Sequence, residues 1–461
     1  MKIRFSNIGM IENGYVNLNG LAVLAGENDT GKSTVGKLVF SIIRSFGKYE
    51  KEFEEDREDL IEEKARLIYF ELRKSINFGQ DIKLRREFEP MEIIMSIQKM
   101  LIENNLKKIQ KFLDEKKVLI EKLDITQDSK VNIIYQIDEI FKTVSIDSKH
   151  IDVKIRSLNK ALLSEFAYQV TNLFTANESI IDANEGDNLI FHISIKDNKV
   201  NELELHDEMF YNDVTYIESP LVLQYNSLSL GAVHTLGNNI RRRNSFMPLH
   251  LSDLLSKIQD SQFMEQIDMY PINDLLYGER TNFKKIDANI RDIIGGNFYY
   301  RKHERDFIFK KEYRDNFFDV KLPNVANGIK SFGLIQMLLN SGVLNQRSLL
   351  IIDEPEVHLH PSWQIKYAEL LVLLVKEISL NVLVASHSPY FIEAIKVYSD
   401  KYGIEKNTSF YLSEKVINNT STIINVTDNL EKIFDKLTEP FNKLEVISEA
   451  GLYGKQNSEN T

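Results

Sequence analysis

Residues 26–34 read Gly-Glu-Asn-Asp-Thr-Gly-Lys-Ser-Thr, set between the apolar run 21–25 and a helical pattern at Val35, Leu38, Val39, Ile42 and Ile43. The spacing G-x-x-x-x-G-K-[ST] requires a strand before it and a helix after it, and both patterns are present. Gly26 and Gly31 let the backbone wrap a phosphate chain, whose charge meets the free amides of the helix start. Lys32 would then reach the outer phosphates, and the Ser33 hydroxyl would ligate a metal. A glycine-rich turn with no ligand is the competing explanation, and the flanking strand and helix argue against it.

A second stretch, 348–361, reads Ser-Leu-Leu-Ile-Ile-Asp-Glu-Pro-Glu-Val-His-Leu-His-Pro. Its apolar part, 349–352, has the length and composition of a strand buried on both faces. The strand stops at two adjacent carboxylates, Asp353 and Glu354, and Pro355 forbids the ladder from continuing. Acids at the carboxyl end of a buried strand sit where parallel α/β sheets place their chemistry. One can hold magnesium and the other can orient an attacking water. A strand that merely ends in a polar turn would explain 348–361 alone, but not its pairing with 26–34.

Composition narrows the partners. The formal charge of −11 over 461 residues argues against a generally basic nucleic-acid binder, although a local basic patch stays open. The absence of cysteine excludes thiol nucleophiles, zinc ribbons and disulfides. No apolar run is long enough to span a bilayer, and residues 1–5 carry charge rather than a signal-peptide core. The expectation is a soluble cytoplasmic protein without a membrane partner.

Along the chain, 3–25 alternates as strands, with Asn13-Gly14 as a hairpin-turn signal. Composition turns charged and helical over 49–176, and Pro90 and the break at 77–79 imply several helices. Apolar residues at 102, 106, 109, 113, 120 and 123 approach a heptad seam, interrupted by Lys116. An amphipathic helix of an ordinary bundle explains them better than a coiled coil. Strands are expected again at 189–195, 200–205, 214–217, 298–301, 306–310, 317–322 and 382–385, with helices at 334–340 and 363–378. Arg241-Arg242-Arg243 reads as an exposed basic turn rather than a phosphate grip, and 454–461 as a disordered end.

Four stretches in this order, GENDTGKST (26–34), ANGIKSFG (326–333), LLIIDEPEVHLHP (349–361) and VASHSPYF (384–391), resemble the ABC-type ATPase head. The likeness is to the branch with SMC-like, RecF-like and OLD-family ATPases. The resemblance implies an α/β fold: a P-loop ATPase head whose mixed sheet has flanking helices and an antiparallel β subdomain, plus a helical insertion. It divides the chain into 1–48 with the P-loop, 49–176 as the insertion, 177–412 with the remaining motifs, and 413–461 as a C-terminal tail. Ser331 and Gly333 match the family's signature serine and second glycine, while Phe332 replaces the first glycine.

Carried over by position, the resemblance implies ATP and magnesium as cofactors. Gly26, Asn28, Gly31, Lys32 and Thr34 would bind phosphates, and Ser33 and Asp353 the metal. Glu354 would polarise the water, and His387 would contact the γ-phosphate. Ser331 and Gly333 would complete a site on an opposite subunit, so a homodimer or higher assembly is implied. A water-positioning glutamine is also implied, with Gln224 the candidate. His358 and His360 read as subunit contacts rather than metal ligands.

OLD-type chains carry a nuclease domain with a D-x-D pair after the last ATPase motif, and no such pair follows His387. An ATPase-only member working with a separately encoded effector, a nuclease or toxin, is therefore expected. The two-component anti-phage Septu and PARIS types are the comparison. A DNA-repair or DNA-loading ATPase, and a slow-turnover scaffold that sequesters an effector, are the alternatives. DNA stimulation would mark the first of these, and near-absent turnover the second.

Overall fold

The computed structural model describes all residues except 77–81, 148, 173, 175–176, 225–246, 260–276, 302–303, 305, 315, 417–419, 441–442, 445–446 and 448–461. The arginine triplet 241–243 and the terminal stretch 454–461 lie outside the described residues. Contacts divide the chain into two compact units, Met1–Gly47 with Leu158–Thr461, and Lys48–Ser157.

The chain begins with strands β1 (Lys2–Ile8), β2 (Ile11–Asn17) and β3 (Leu21–Gly26), followed by helix α1 (Lys32–Ser75). Helices α2 (Ile82–Glu87), α3 (Pro90–Ile102), α4 (Leu106–Glu121), α5 (Gln127–Val144) and α6 (Ile151–Phe166) follow. Next come β4 (Ser179–Glu185), β5 (Asn188–Lys196), β6 (Lys199–Leu205) and β7 (Asp213–Ile217). Helices α7 (Leu249–Gln259) and α8 (Tyr277–Ile294) precede β8 (Gly296–Arg301), β9 (Asp306–Tyr313) and β10 (Asn316–Lys321). The last part alternates: α9 (Asn327–Asn340), β11 (Ser348–Asp353), α10 (Pro361–Ile378), β12 (Asn381–Ser386), α11 (Pro389–Tyr402), β13 (Thr408–Lys415) and β14 (Ser421–Asn425).

Among the described residues, eleven strands form one mixed sheet in the order β6-β5-β4-β1-β2-β14-β13-β3-β12-β11-β7, and β10-β9-β8 form a small antiparallel sheet. Strands β13, β3, β12, β11 and β7 run parallel, while β6, β5, β4, β1 and β2 are antiparallel neighbours. Burial explains the difference. Strands β3, β11 and β12 are buried at every position, as unbroken apolar runs require when both faces are covered. One face supplies Val23, Leu350, Ile352, Val382 and Val384 to the core shared with α9, α10 and α11. On the other, Gly36 of α1 lies against Tyr216 and Ile351.

Three expectations changed on folding. The first hairpin turns at Gly9-Met10, because Ile8 pairs with Ile11; Asn13-Gly14 fall inside β2 opposite Ser6 and Phe5. Gly9 takes the left-handed backbone at φ +56°, which the turn needs. Helix α9 begins at Asn327 rather than 334, since burial of Lys330, Ser331 and Phe332 outweighs the low propensity of two glycines. Residues beyond 413 contribute β14, which lies between β2 and β13 in the main sheet.

The unit Lys48–Ser157 has its own core, built from Ile61, Ile68, Leu72, Phe88, Ile97, Ile109, Leu113, Ile120, Ile133 and Ile137 among others. Lys116, which breaks the heptad seam, is buried there: its ammonium pairs with Glu87 at 2.7 Å and lies over the rings of Phe88 and Phe112. Residues after this unit return to the sheet, with the Gly9 amide donating to Val170 O at 2.8 Å and the Asn172 amide to Asn7 O at 2.9 Å. Among the described residues, no helix is long and apolar enough to cross a membrane.

Candidate active site at the carboxyl ends of the parallel strands

Four parallel strands end together. Register pairs Ser386 with Ala25, Asp353 with Ala385, and Ile352 with Ile217. The loop after β3, the acids after β11, His387 after β12 and Glu218 after β7 therefore gather along one edge. This is where a parallel sheet leaves strand ends and helix starts open to a ligand.

The loop 26–31 is fixed by its neighbours. Ser413 Oγ of β13 donates to Thr30 O at 2.6 Å, and Thr30 Oγ1 donates to Glu27 O at 2.9 Å. Gly31 holds φ +92°, and a Cβ there would stand 2.7 Å from Ile11 Cγ1, so only glycine fits. Lys32 is buried, and its ammonium donates to Gly26 O at 3.0 Å and Glu27 O at 2.7 Å. Burial pulls the Lys32 pKa down, against the charges of Glu354, Asp353, Glu356 and Glu27, which hold it up. Lys32 opens α1, Ser33 and Thr34 follow on its first turn, and Asn28 is exposed in the loop.

Asp353 closes β11 and is 7% exposed. Its Oδ2 accepts from the Tyr216 hydroxyl at 2.9 Å, and its buried Oδ1 has no hydrogen-bond partner among the described residues. Burial pushes its carboxyl up; the Ser33 and Tyr216 hydroxyls pull it down; the charges of Glu354 and Glu218 push it up again. Glu354 is half-buried and sits at φ +47°, a conformation most residues avoid. Its amide donates to Ala385 O at 2.8 Å, which holds the turn in that form. Strain of this kind persists where surrounding structure over-determines it, and it concentrates at functional sites.

Glu356, which carries no motif signal of its own in the sequence, proves central. It is buried, and its Oε1 accepts from Ser386 Oγ at 2.8 Å, His387 N at 2.7 Å and Ser388 N at 3.0 Å. His387 Nδ1 lies 3.2 Å from that oxygen and 3.6 Å from Glu354 Oε1. Ser388 caps α11, its side chain accepting from Phe391 N. His360 caps α10 in the same manner, accepting from Ser362 N.

The structure thus brings together Lys32, Ser33, Asp353, Glu354 and His387. It does not bring Ser331 and Gly333 into that group: Ser331 Oγ donates to Asn327 O at 3.2 Å, and Gly333 packs beneath Phe298. Gln224 lies in a helical stretch beyond β7, its amide donating to Leu221 O at 2.9 Å. Nearer the cluster stands Glu218, directly after β7, with its carboxylate 3.2 Å from His250 Nε2 and 3.9 Å from Lys37 Nζ. An acid immediately after the apolar run 214–217 repeats the pattern of Asp353 after 349–352, and is the signal that points to it.

A hydroxyl and a carboxylate with a free buried oxygen form a hard-oxygen donor pair suited to magnesium. The residues present fit that ion. A glycine-bearing loop, a helix start and a lysine fit a polyphosphate.

The model of the AAA ATPase domain matches residues 1–392. The chain belongs to the AAA ATPase domain family. This AAA ATPase is similar to the Septu protein PtuA of Bacillus thuringiensis, 24% identical over 179 residues. That alignment spans 37% of this chain and 40% of PtuA, less than half of either. Among solved structures it is similar to the SMC head domain from Thermotoga maritima, at 10% identity over 92% of this chain and 98% of that one, with a TM-score of 0.36. It is also similar to an SmcHead bound to the C-winged helix domain of ScpA, at 9% identity over 94% and 98% of the two chains, with a TM-score of 0.41.

Proposed function

We propose that this AAA ATPase hydrolyses ATP to ADP and phosphate with magnesium. The observation that carries the reading is the buried Asp353 Oδ1, unpartnered among the described residues, beside Ser33 and the Lys32 loop. Lys32 and the amides of 26–34 bind the phosphate chain, with Asn28 and Thr34 lining it. Ser33 and Asp353 hold the magnesium ion, which when bound neutralises charge on the phosphate oxygens. Glu354 orients the attacking water and draws on its proton, and His387 contacts the terminal phosphate. Catalysis is positioning plus charge neutralisation of an in-line transfer to water. Phosphate release from ATP by the purified chain, lost in Glu354→Gln and in Lys32→Ala, tests this. Equal turnover in Glu354→Gln and the unmodified chain would refute it.

The similarity to PtuA favours a second layer. In this reading the ATPase is the sensor or regulatory subunit of an anti-phage defence complex, assembles with itself, and passes its nucleotide state to a separate effector. Ser331 and Gly333 complete the site of an opposite subunit. The unit Lys48–Ser157 is the docking surface for the effector. The purified chain is then expected to split ATP without cutting DNA or RNA. Magnesium-dependent cleavage of either by the pure chain would overturn that assignment.

A further inference from the structure

Tyr216 is the penultimate residue of β7, 1% exposed, with its hydroxyl 2.9 Å from Asp353 Oδ2. Everything around the ring is built to hold it. Gly36 of α1 clears the space, since a Cβ there would stand 3.1 Å from Tyr216 Cε2. The ring lies edge-on to His250, with centroids 4.9 Å apart at 76°, and beside Phe40 at 6.1 Å.

His250 is itself clamped. Its Nδ1 lies 2.6 Å from Glu165 Oε2, its Nε2 3.2 Å from Glu218 Oε2, and its backbone amide donates to Glu165 Oε1 at 3.1 Å. Histidine and Glu165 are both buried. Carboxylates on both ring nitrogens fit a doubly protonated imidazole, which cannot rotate without leaving a buried charge unpaired. The chain of contacts runs Glu165–His250–Tyr216–Asp353, from α6 and α7 through β7 to the end of β11.

We propose that Tyr216 is the positioning residue of the metal-binding carboxylate: by occupying Asp353 Oδ2 it fixes the rotamer and aims Oδ1 at the cation. This rests on the hydrolytic reading above, and adds to it the partner that orients its metal ligand. A phenylalanine would fill the ring's space equally well, so packing does not account for the hydroxyl. A phenol keeps its proton at neutral pH, so the hydroxyl serves as the donor to Asp353 Oδ2. Outer-sphere partners of this type usually contribute about 10- to 100-fold in metal affinity or activity.

The test is a binding measurement on the full chain, independent of turnover. A fluorescent, non-hydrolysable ATP analogue is titrated with magnesium and again with EDTA, using the unmodified chain, Tyr216→Phe and Asp353→Asn. Magnesium should tighten binding to the unmodified chain and give no gain with Asp353→Asn. Tyr216→Phe should lose roughly ten-fold of the magnesium-dependent gain and match the unmodified chain in EDTA, with a melting curve confirming its fold. A full magnesium gain in Tyr216→Phe, with none in Asp353→Asn, would overturn the inference and leave the hydrolytic reading intact. A full gain in Asp353→Asn as well would remove the metal assignment itself, and the inference with it.

Discussion

Glu356 Oε1 accepts the backbone amide of His387 at 2.7 Å and stands 3.2 Å from the same residue's Nδ1. One buried oxygen thus holds the main chain of the histidine that follows β12 and lies beside its ring. The Ser388 amide and Ser386 hydroxyl converge on it too, so the turn into α11 is organised around a single carboxylate. Bonds to a charged acceptor are about twice as strong as neutral ones. Glu356→Ala should leave these buried donors unsatisfied and destabilise the chain by about 1–3 kcal/mol. Glu356→Gln keeps an accepting oxygen and should retain the fold while slowing ATP hydrolysis more than it weakens ATP binding. An unchanged melting temperature in Glu356→Ala would contradict this role.

Glu354 faces His387 from a strained backbone position and, unlike Asp353, keeps solvent access. Its replacement by Gln preserves shape and removes the proton acceptor. Turnover should fall about 10²- to 10⁴-fold while equilibrium binding of ATP stays intact. Lys32→Ala should separate cleanly from it, losing ATP affinity first. Filter binding of labelled ATP beside a phosphate-release assay distinguishes the two patterns.

The chemistry of β3, β11 and β12 was legible because a strand buried on both faces is an unbroken apolar run, and polar residues at its end stand out. Asp353 and Glu354 came from that contrast, Lys32 from the G-x-x-x-x-G-K-[ST] spacing and His387 from the family resemblance, and the structure gathers them. Long-range partners were not legible. Tyr216 lies inside an apolar run and reads as core, and only the β7–β11 register sets its hydroxyl beside Asp353. Glu356 looks like one more turn residue until β12 brings three donors to it. Asn13-Gly14 misled for a related reason. The local turn signal was real, but Gly14 serves close packing in β2, where an added Cβ would lie 2.8 Å from Ile423 Cβ.

Gly333 offers a test of packing separate from any role in a signature. A Cβ at this position would stand 2.3 Å from the Phe298 ring, which itself packs on Phe309. Gly333→Ala should raise helix propensity yet lower stability by roughly 1–3 kcal/mol through overpacking. Coupling it with Phe298→Leu should recover part of that loss. A melting temperature equal to the unmodified chain's in Gly333→Ala would show that the ring moves aside freely.

The unit Lys48–Ser157 carries an apolar core of its own. Replacing it with a flexible Gly/Ser linker should therefore leave ATP affinity within a few-fold of the full chain's. Under the proposed docking role, the same deletion should abolish capture of a co-expressed effector. Loss of ATP binding in a deletion variant that still melts cooperatively would place part of the nucleotide site in that unit.

Ser331 is 7% exposed, on the first turns of α9, with its hydroxyl donating to Asn327 O at 3.2 Å. A large side chain there would overpack its surroundings, so Ser331→Ala is the cleaner probe of a site shared between subunits. It removes one hydroxyl and should leave the fold and each chain's ATP binding unchanged. If Ser331 reaches the nucleotide of an opposite subunit, Ser331→Ala alone should turn over slowly, and Lys32→Ala alone not at all. Mixing the two gives some dimers in which an intact Lys32 loop meets an intact Ser331, and those should regain activity. The regained rate should follow the mixing ratio, peaking where mixed dimers are most abundant. Mixtures that form dimers yet never exceed the activity of Ser331→Ala by itself would show that each chain works on its own nucleotide.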